Sequence, residues 1–321
     1  MARNRTRPSK AFTLTQLDYF VRAAELGSMT EAANSLYVAQ SAISMAITHL
    51  ERALGTQLFV RNRSKGLQLT ATGDGLLTRA RIILGAVDDT LDAFRPDVLT
   101  GPLHAACYPT LAPFFLPQII LDLTTAHPGI EPNIRECFAD EIVRALGSRA
   151  VDIALTYDLG LGDGISKEHL ATAPLYVAVA EGHPLTRRGR LSLSELAREP
   201  MILLDLPFSR DYFTEIFTSR GLVPNVCYRF ASFEAVRAMV ARGHGFALLH
   251  QRPAVGRAYD GGRVTALPIE DPVPGLDIVL ACRESEPLSR KAETFAHHCR
   301  QALRAAIAGA PAIGRSALAG D

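Results

Sequence analysis

The chain has 321 residues, 48% of them hydrophobic and 21% charged, with a net charge of +1, which suits a globular protein of about two domains. No run reaches the roughly 18 apolar residues of a membrane span, and Asp18, Arg22 and Glu25 interrupt the apolar segment that a signal peptide would need after its basic start. The five cysteines are scattered, with neither CxxC nor Cys/His ligand spacing, so reduced thiols in a cytoplasm are expected, with no metal and no membrane association.

Charge is uneven along the chain. Residues 1–72 hold nine Lys and Arg against four Asp and Glu, whereas the remaining 249 hold 25 against 29. A basic first fifth on a mildly acidic body points to a polyanionic partner at one end.

Residues 1–11 carry four basic groups and almost nothing to bury, which predicts a disordered arm. Leu14, Leu17, Phe20, Val21 and Ala24 recur at helical spacing up to a stop at Gly27. Ser28 and Glu31 then read as a capping box for a short helix through Leu36. A third helix, about Gln40 to Leu54, puts Ile43, Ile47, Leu50 and Leu54 on one stripe and ends at Gly55. Three helices with two short turns form a helix-turn-helix pattern, and LFVRNRSKGLQL after them alternates as a two-stranded wing. Residues 12–71 are therefore expected to be a winged helix-turn-helix.

Residues 72–98 are expected to be a linker. Within it Leu77, Ala80, Leu84, Val87, Leu91 and Phe94 step by 3 and 4, a heptad seam that either pairs with a second chain or packs on its own domain. Arg95-Pro96 ends the helix, and Gly101-Pro102 opens the next region.

From residue 102 short apolar runs alternate with helical patterns: LHAAC, IEPNI and VDIAL in one βαβαβ set, then LYVAVA, MILL, VCYRF and FALL, with a return through LDIVLAC to a last helix. This is an α/β domain of two lobes, lobe I at 102–173 and 276–308 and lobe II at 174–275, followed by a loose tail at 309–321. The two crossings leave a cleft at strand ends, where ligands bind.

On the third helix Ser41, Met45, Thr48 and Arg52 lie opposite the apolar stripe. Gln40 suits a bidentate contact with adenine, Ser41, Ser44 and Thr48 suit phosphates or base edges, and Met45 suits a thymine methyl. Arg61, Arg63 and Lys65 on the wing suit phosphates or the minor groove. The segment SMTEAANSLYVAQSAISMAITHLERALGTQLFVRNRSKGLQLTATG resembles the winged helix-turn-helix of LysR-type transcriptional regulators. The likeness is dense over about residues 12–94, and the two-lobed remainder fits that family's effector domain, which is of periplasmic-binding-protein type.

The resemblance implies a homo-oligomer, dimer or tetramer, whose linker helices pair. Such a protein reads double-stranded promoter DNA, has RNA polymerase as a further partner, and responds to a small-molecule effector, an organic acid or an amino-acid-like compound, without a cofactor. It carries DNA-contacting roles to Gln40, Ser41 and Ser44 and wing roles to Arg61, Arg63 and Lys65. Two positions depart from the family pattern: Ser41 stands where proline is common, and Met45 where a basic residue is common.

In the cleft, Tyr108 and Thr110 follow the first strand of lobe I. Thr110 either caps the next helix or, with that helix's first N–H groups, seats an anion. Thr156, Phe208, Ser209 and Ser232 are lining candidates by the same strand-end logic. Asp158 would repel an acid unless Arg210 neutralises it or the effector itself carries an amine.

An enzyme finds little support. Gly243-His244-Gly245 is no dinucleotide fingerprint, His297-His298 lack i, i+4 spacing, and GxSxG, HExxH and P-loop motifs are missing. His104 and Cys107 fall on opposite faces of a strand. A transporter's solute-binding protein would lack the first 94 residues, and a thiol sensor would need a closer pair than Cys282 and Cys299.

Overall fold

The computed structural model describes residues 12–62, 66–94, 99–284 and 286–309, and the side chains of Arg61 and Asn62 are not among the described ones. The expected arm, Arg63, Lys65 at the wing tip and nearly all of the expected tail therefore lie outside them. The chain divides into two compact units near residue 97.

In the first unit α1 (Leu14–Leu26) starts on a full capping box between Thr13 and Gln16 and stops at Gly27, whose φ of 60° is the left-handed conformation glycine tolerates. Helix α2 (Met29–Ser35) has only half of its expected box, since Ser28 accepts from the Glu31 backbone N–H without a reciprocal bond. Helix α3 (Gln40–Leu54) ends at Gly55 in the left-handed conformation, as its sequence requires. Strands β1 (Phe59–Asn62) and β2 (Gly66–Leu69) form the antiparallel wing. Leu17, Phe20, Ile43, Ile47 and Leu50 fill a separate small core.

Helix α4 (Ala71–Phe94) closes this unit and divides the expected seam. Ala80 is fully buried, and Leu77 and Leu84 pack on the same small core. The Arg81–Glu25 ion pair at 3.0 Å ties α4 to α1. The first half of the seam is thus an intrachain contact, because α1 supplies an apolar face beside it. Val87 is half-buried, and Leu91 and Phe94, 52% and 84% exposed, stand clear with Ile82 and Ile83.

The second unit begins with β3 (Gly101–Cys107), α5 (Ala112–Ala126), β4 (Ile130–Glu136), α6 (Ala139–Gly147) and β5 (Ile153–Tyr157). Strand β3 pairs in parallel with both β4 and β5, the expected βαβαβ. Strand β6 (Ile165–Ala173), which the sequence does not announce, follows.

The chain then crosses to β7 (Tyr176–Ala180), a short turn of 3-10 helix at Pro184–Arg188, α7 (Leu193–Leu196), β8 (Pro200–Leu204), α8 (Ser209–Thr218), β9 (Asn225–Phe230), α9 (Phe233–Ala241), β10 (Ala247–Leu249) and β11 (Val264–Pro268). It returns through β12 (Leu276–Arg283) and ends in α10 (Arg290–Gly309). The larger sheet runs β4-β3-β5-β12-β6, with β12 antiparallel to both neighbours. In the other lobe β7 lies between β10 and β11, β8 pairs with β9, and a Met201–Phe246 bridge joins β8 to the approach of β10. A Cβ at Gly245 would sit 2.2 Å from the Pro200 carbonyl. The Gly243-His244-Gly245 motif therefore serves a close backbone approach.

Candidate functional site

The α3 surface is divided as its sequence requires, except that Leu54, expected on the core stripe, is 40% exposed in the last turn of the helix. Ile43, Ala46, Ile47 and Leu50 are buried, and Gln40, Ser41, Thr48 and Arg52 are exposed. Met45 is 70% exposed, a large apolar side chain in water on the face opposite the core. Ser44 is half-buried, and its carbonyl accepts the Thr48 hydroxyl at 2.9 Å. Gln40 occupies the first helical position after Ala39, which provides no side-chain cap. Wing and helix are held together by Glu51, whose carboxylate accepts from the Leu58 N–H at 2.9 Å.

In the second unit a cavity of about 30 Å³ lies at the carboxyl ends of β3 and β5 in one lobe and of β8 and β10 in the other. That is room for about two water molecules. Tyr108, Thr110 and Ser209 line it as expected; Thr156, Asp158, Phe208 and Ser232 do not. Thr156 is fully buried, with its hydroxyl turned to the Tyr157 carbonyl. Asp158 pairs with Lys167 at 2.7 Å, while Arg210 forks onto Asp205 at 2.7 and 3.0 Å. Arg210 therefore does not neutralise Asp158. Phe208 takes a left-handed φ of 63° and lays its ring where a Cβ of Gly160 would stand. Ser232 caps α9, accepting from the Ala235 N–H.

The two lining hydroxyls are committed as well. The Ser209 hydroxyl closes its own turn on the Leu204 and Leu206 carbonyls. Thr110 precedes α5 and its hydroxyl engages Tyr157. An anion seat at that helix start is missing its donors: Leu111 and Ala112 donate to the Tyr108 carbonyl, Pro113 has no N–H, and Phe114 and Phe115 donate to Leu111.

The strand-end logic misses the aromatic wall. Tyr157 stands 5.3 Å from Tyr108 between ring centroids, and its hydroxyl also receives the Gln251 amide at 3.1 Å. Burial pushes that phenol up to about 12. His250 lies among Tyr157, Tyr212 and Phe213, with centroids 5.5–6.2 Å apart. Its Nδ1 faces the Ala173 carbonyl at 3.0 Å. A carbonyl only accepts, so Nδ1 carries the hydrogen. Tyr212 reaches the Pro274 carbonyl at 3.4 Å, so both crossings between lobes are tied to the cavity wall. Among the described residues no charged side chain lines it. The only legible signal was that Tyr157 and His250 each end an apolar strand run.

Burial lowers the His250 pKa from 6.5 to about 4, outweighing the backbone bonds to Ala173 and Pro174 that raise it. The neighbouring titratable rings, Tyr108, Tyr157 and Tyr212, are themselves pushed up by burial. A histidine lowered on folding binds its proton better when unfolded, so its contribution is complete above pH 6.5 and is lost as pH falls toward 4. The loss amounts to about 3 kcal/mol. Thermal midpoints of the wild type should therefore fall more steeply between those pH values than those of His250→Asn; parallel curves would contradict this.

Metal and thiol chemistry find no comparable arrangement. Among the described residues no group of three or more His, Cys, Asp or Glu is placed to hold a metal ion. The rings of His297 and His298 stand edge to face at 5.6 Å. Cys107 and Cys299 are buried, and burial raises both thiols. No helix among the described residues is long and apolar enough to cross a membrane.

A winged helix-turn-helix unit joined to a two-lobed α/β unit with a cavity at its strand ends defines a regulator of DNA with a ligand-binding domain. Residues 14–74 match the family described as bacterial regulatory helix-turn-helix protein, lysR family, and residues 96–304 match the LysR substrate binding domain. The chain belongs to the LysR family of transcriptional regulators. It is 31% identical over 296 residues to the hydrogen peroxide-inducible genes activator of Pectobacterium carotovorum subsp. carotovorum, across 91% of this chain and 97% of that one.

Among solved structures it is similar to HinK, a LysR family transcriptional regulator from Pseudomonas aeruginosa, at 35% identity and a TM-score of 0.61 over 91% of this chain and 99% of that one. It is also similar to a full-length OxyR variant from the same organism, with a TM-score of 0.71 over 91% and 95%; at 24% identity this likeness concerns the fold alone.

Proposed function

We propose that this LysR-type regulator acts in the cytoplasm as a homo-oligomer that binds promoter DNA through α3 and the wing and changes that binding when a small molecule occupies the cavity of its second unit. The observation that carries the reading is the exposed polar face of α3, Gln40, Ser41 and Thr48 around Met45, on a helix whose other face is core. In this reading Gln40, Ser41 and Ser44 contact bases or phosphates, Arg52 and the wing's Arg61, Arg63 and Lys65 contact phosphates, and Leu91 and Phe94 meet a second copy.

Gln40→Ala should weaken binding to the cognate duplex by about 1–3 kcal/mol and leave binding to unrelated duplexes unchanged. Replacing Arg61 and Arg63 by Ala should weaken binding to every duplex and flatten the salt slope by about one unit each. Mobility-shift titrations at several salt concentrations distinguish the two. Equal losses on cognate and unrelated DNA for Gln40→Ala would overturn its base-reading role.

Peroxide induction, for which one relative is named, does not carry over readily. Burial raises the thiols of Cys107, Cys137, Cys282 and Cys299, whereas a peroxide-reactive cysteine needs thiolate character and exposure. Cys227 is exposed, but its strand carries no second cysteine to resolve an oxidised one.

A further inference from the structure

A second pocket, of about 60 Å³, lies within lobe II between α9, the first residue of β7, β11 and the chain that joins β10 to β11. It shares no lining residue with the cavity at the strand ends. Its volume holds about four water molecules, the space of the four oxygens of a sulfate or phosphate ion.

Two arginines line it. Arg237, in the middle of α9, is only 3% exposed; its Nη1 pairs with Glu234 at 2.7 Å and its Nη2 donates to the Arg257 carbonyl at 2.9 Å. A guanidinium has five N–H donors, so three of them are left without an acceptor among the described residues. Arg252 is exposed and has no ion pair among the described residues. Glu234 balances one of the two charges, and its other oxygen accepts the Tyr259 N–H at 2.6 Å. Among the described residues no carboxylate lines the pocket, so one positive charge is left over at its wall.

The remaining wall agrees with that charge. Tyr176 gives its hydroxyl hydrogen to the Gln251 carbonyl at 2.9 Å. Burial pushes this phenol up, and Arg237 and Arg252 pull it back more than Glu234 pushes it further. Both guanidinium charges therefore act at Tyr176, which itself stays neutral. Ala254 and Gly256 also line the pocket, and their N–H groups donate to no acceptor among the described residues. A cation would be repelled here, and an apolar molecule would strip water from charged groups without replacing its hydrogen bonds. An oxyanion would supply acceptors to every free donor, and the planar fork of arginine matches its geometry.

We propose that this pocket is a second ligand site, which takes a small tetrahedral oxyanion, sulfate or phosphate, between Arg237, Arg252 and the N–H groups of residues 254 and 256. The site depends neither on the regulator reading nor on what fills the cavity at the strand ends.

The test titrates the full-length protein at about pH 7 with sodium sulfate and, separately, with sodium phosphate, against sodium chloride at matched ionic strength. Calorimetry should show saturable binding of an oxyanion in the millimolar range or tighter and none of chloride. Binding by either oxyanion supports the site, and the tighter of the two identifies its source. Because the wing and α3 also attract anions, hydrogen exchange locates the bound ion: it should slow exchange in residues 252–256 and leave α3 unchanged.

Arg252→Gln removes an exposed charge with no partner in the fold, so the variant should stay folded and bind the oxyanion about tenfold more weakly or worse. Arg237→Lys keeps a charge for Glu234 but loses the fork, and should weaken binding as well. Should that variant unfold, Arg252→Gln still decides. Equal affinities for the wild type and Arg252→Gln, or slowed exchange in α3 alone, overturn the site. Chloride competing as well as either oxyanion overturns the ligand class, and so does the absence of saturable binding in the millimolar range. None of these results bears on duplex binding.

Discussion

Phe20→Ala should lower the stability of the DNA-binding unit by about 3–5 kcal/mol and remove duplex binding with it. Phe20 is fully buried in α1, and its ring meets that of Phe59 in the wing at 5.3 Å. It belongs to the same small core as Ile43, Ile47 and Leu50 of α3. One side chain thus sets the positions of both the reading helix and the wing. Domains of this kind have total stabilities of about 5–15 kcal/mol, so the loss is a large share. Hydrogen exchange resolved along the chain should show lost protection in α1 to α3 and unchanged protection in β3 to β5, which sit in a different core. Unchanged protection in α3 would contradict the packing described.

The second large effect concerns assembly. Leu91→Asp combined with Phe94→Asp should reduce the oligomer to single chains in light scattering. Both residues are exposed in one chain, and a seam that buries them against a second copy would have to accommodate two unpaired carboxylates, each costing several kcal/mol. Leu84→Asp should act differently. Leu84 packs on the core of its own unit, so the charge should destabilise the fold before it touches the interface. An unchanged mass for the Leu91 and Phe94 double variant would remove α4 from the assembly surface.

The helices of the first unit were legible because their signals are local. Ser28, Gly27 and Gly55 mark ends within a few residues, and the apolar stripe of α3 repeats often enough to fix a face, whereas the Thr13 cap of α1 emerges only in the structure. The seam of α4 was legible as a stripe, but its partner was not: periodicity states that Ala80 and Leu84 are covered without stating by what, and α1 covers them. In the second unit the βαβαβ core followed from strong apolar runs. Strand β6 did not, since ISKEHLATA is mostly exposed and charged along its first half and carries no run to notice.

The cavity shows the limit most clearly. Strand ends gave Tyr108 and Thr110, whereas Tyr157, Tyr212, His250 and Gln251 meet only because β5, α8 and β10 converge from segments far apart in the sequence. Single-sequence reasoning also left open whether the start of α5 seats an anion or is only capped by Thr110. The structure uses those N–H groups within the turn itself, which no residue type announces.

Duplex binding by the intact protein, followed against salt, decides whether the exposed face of α3 and the basic wing form a DNA-reading surface. The logarithm of the cognate affinity should fall linearly with the logarithm of salt concentration, with a slope set by the phosphates contacted, and one sequence should be preferred by a margin that Gln40→Ala reduces. Absence of any salt-dependent duplex binding by the folded, oligomeric protein would contradict that role.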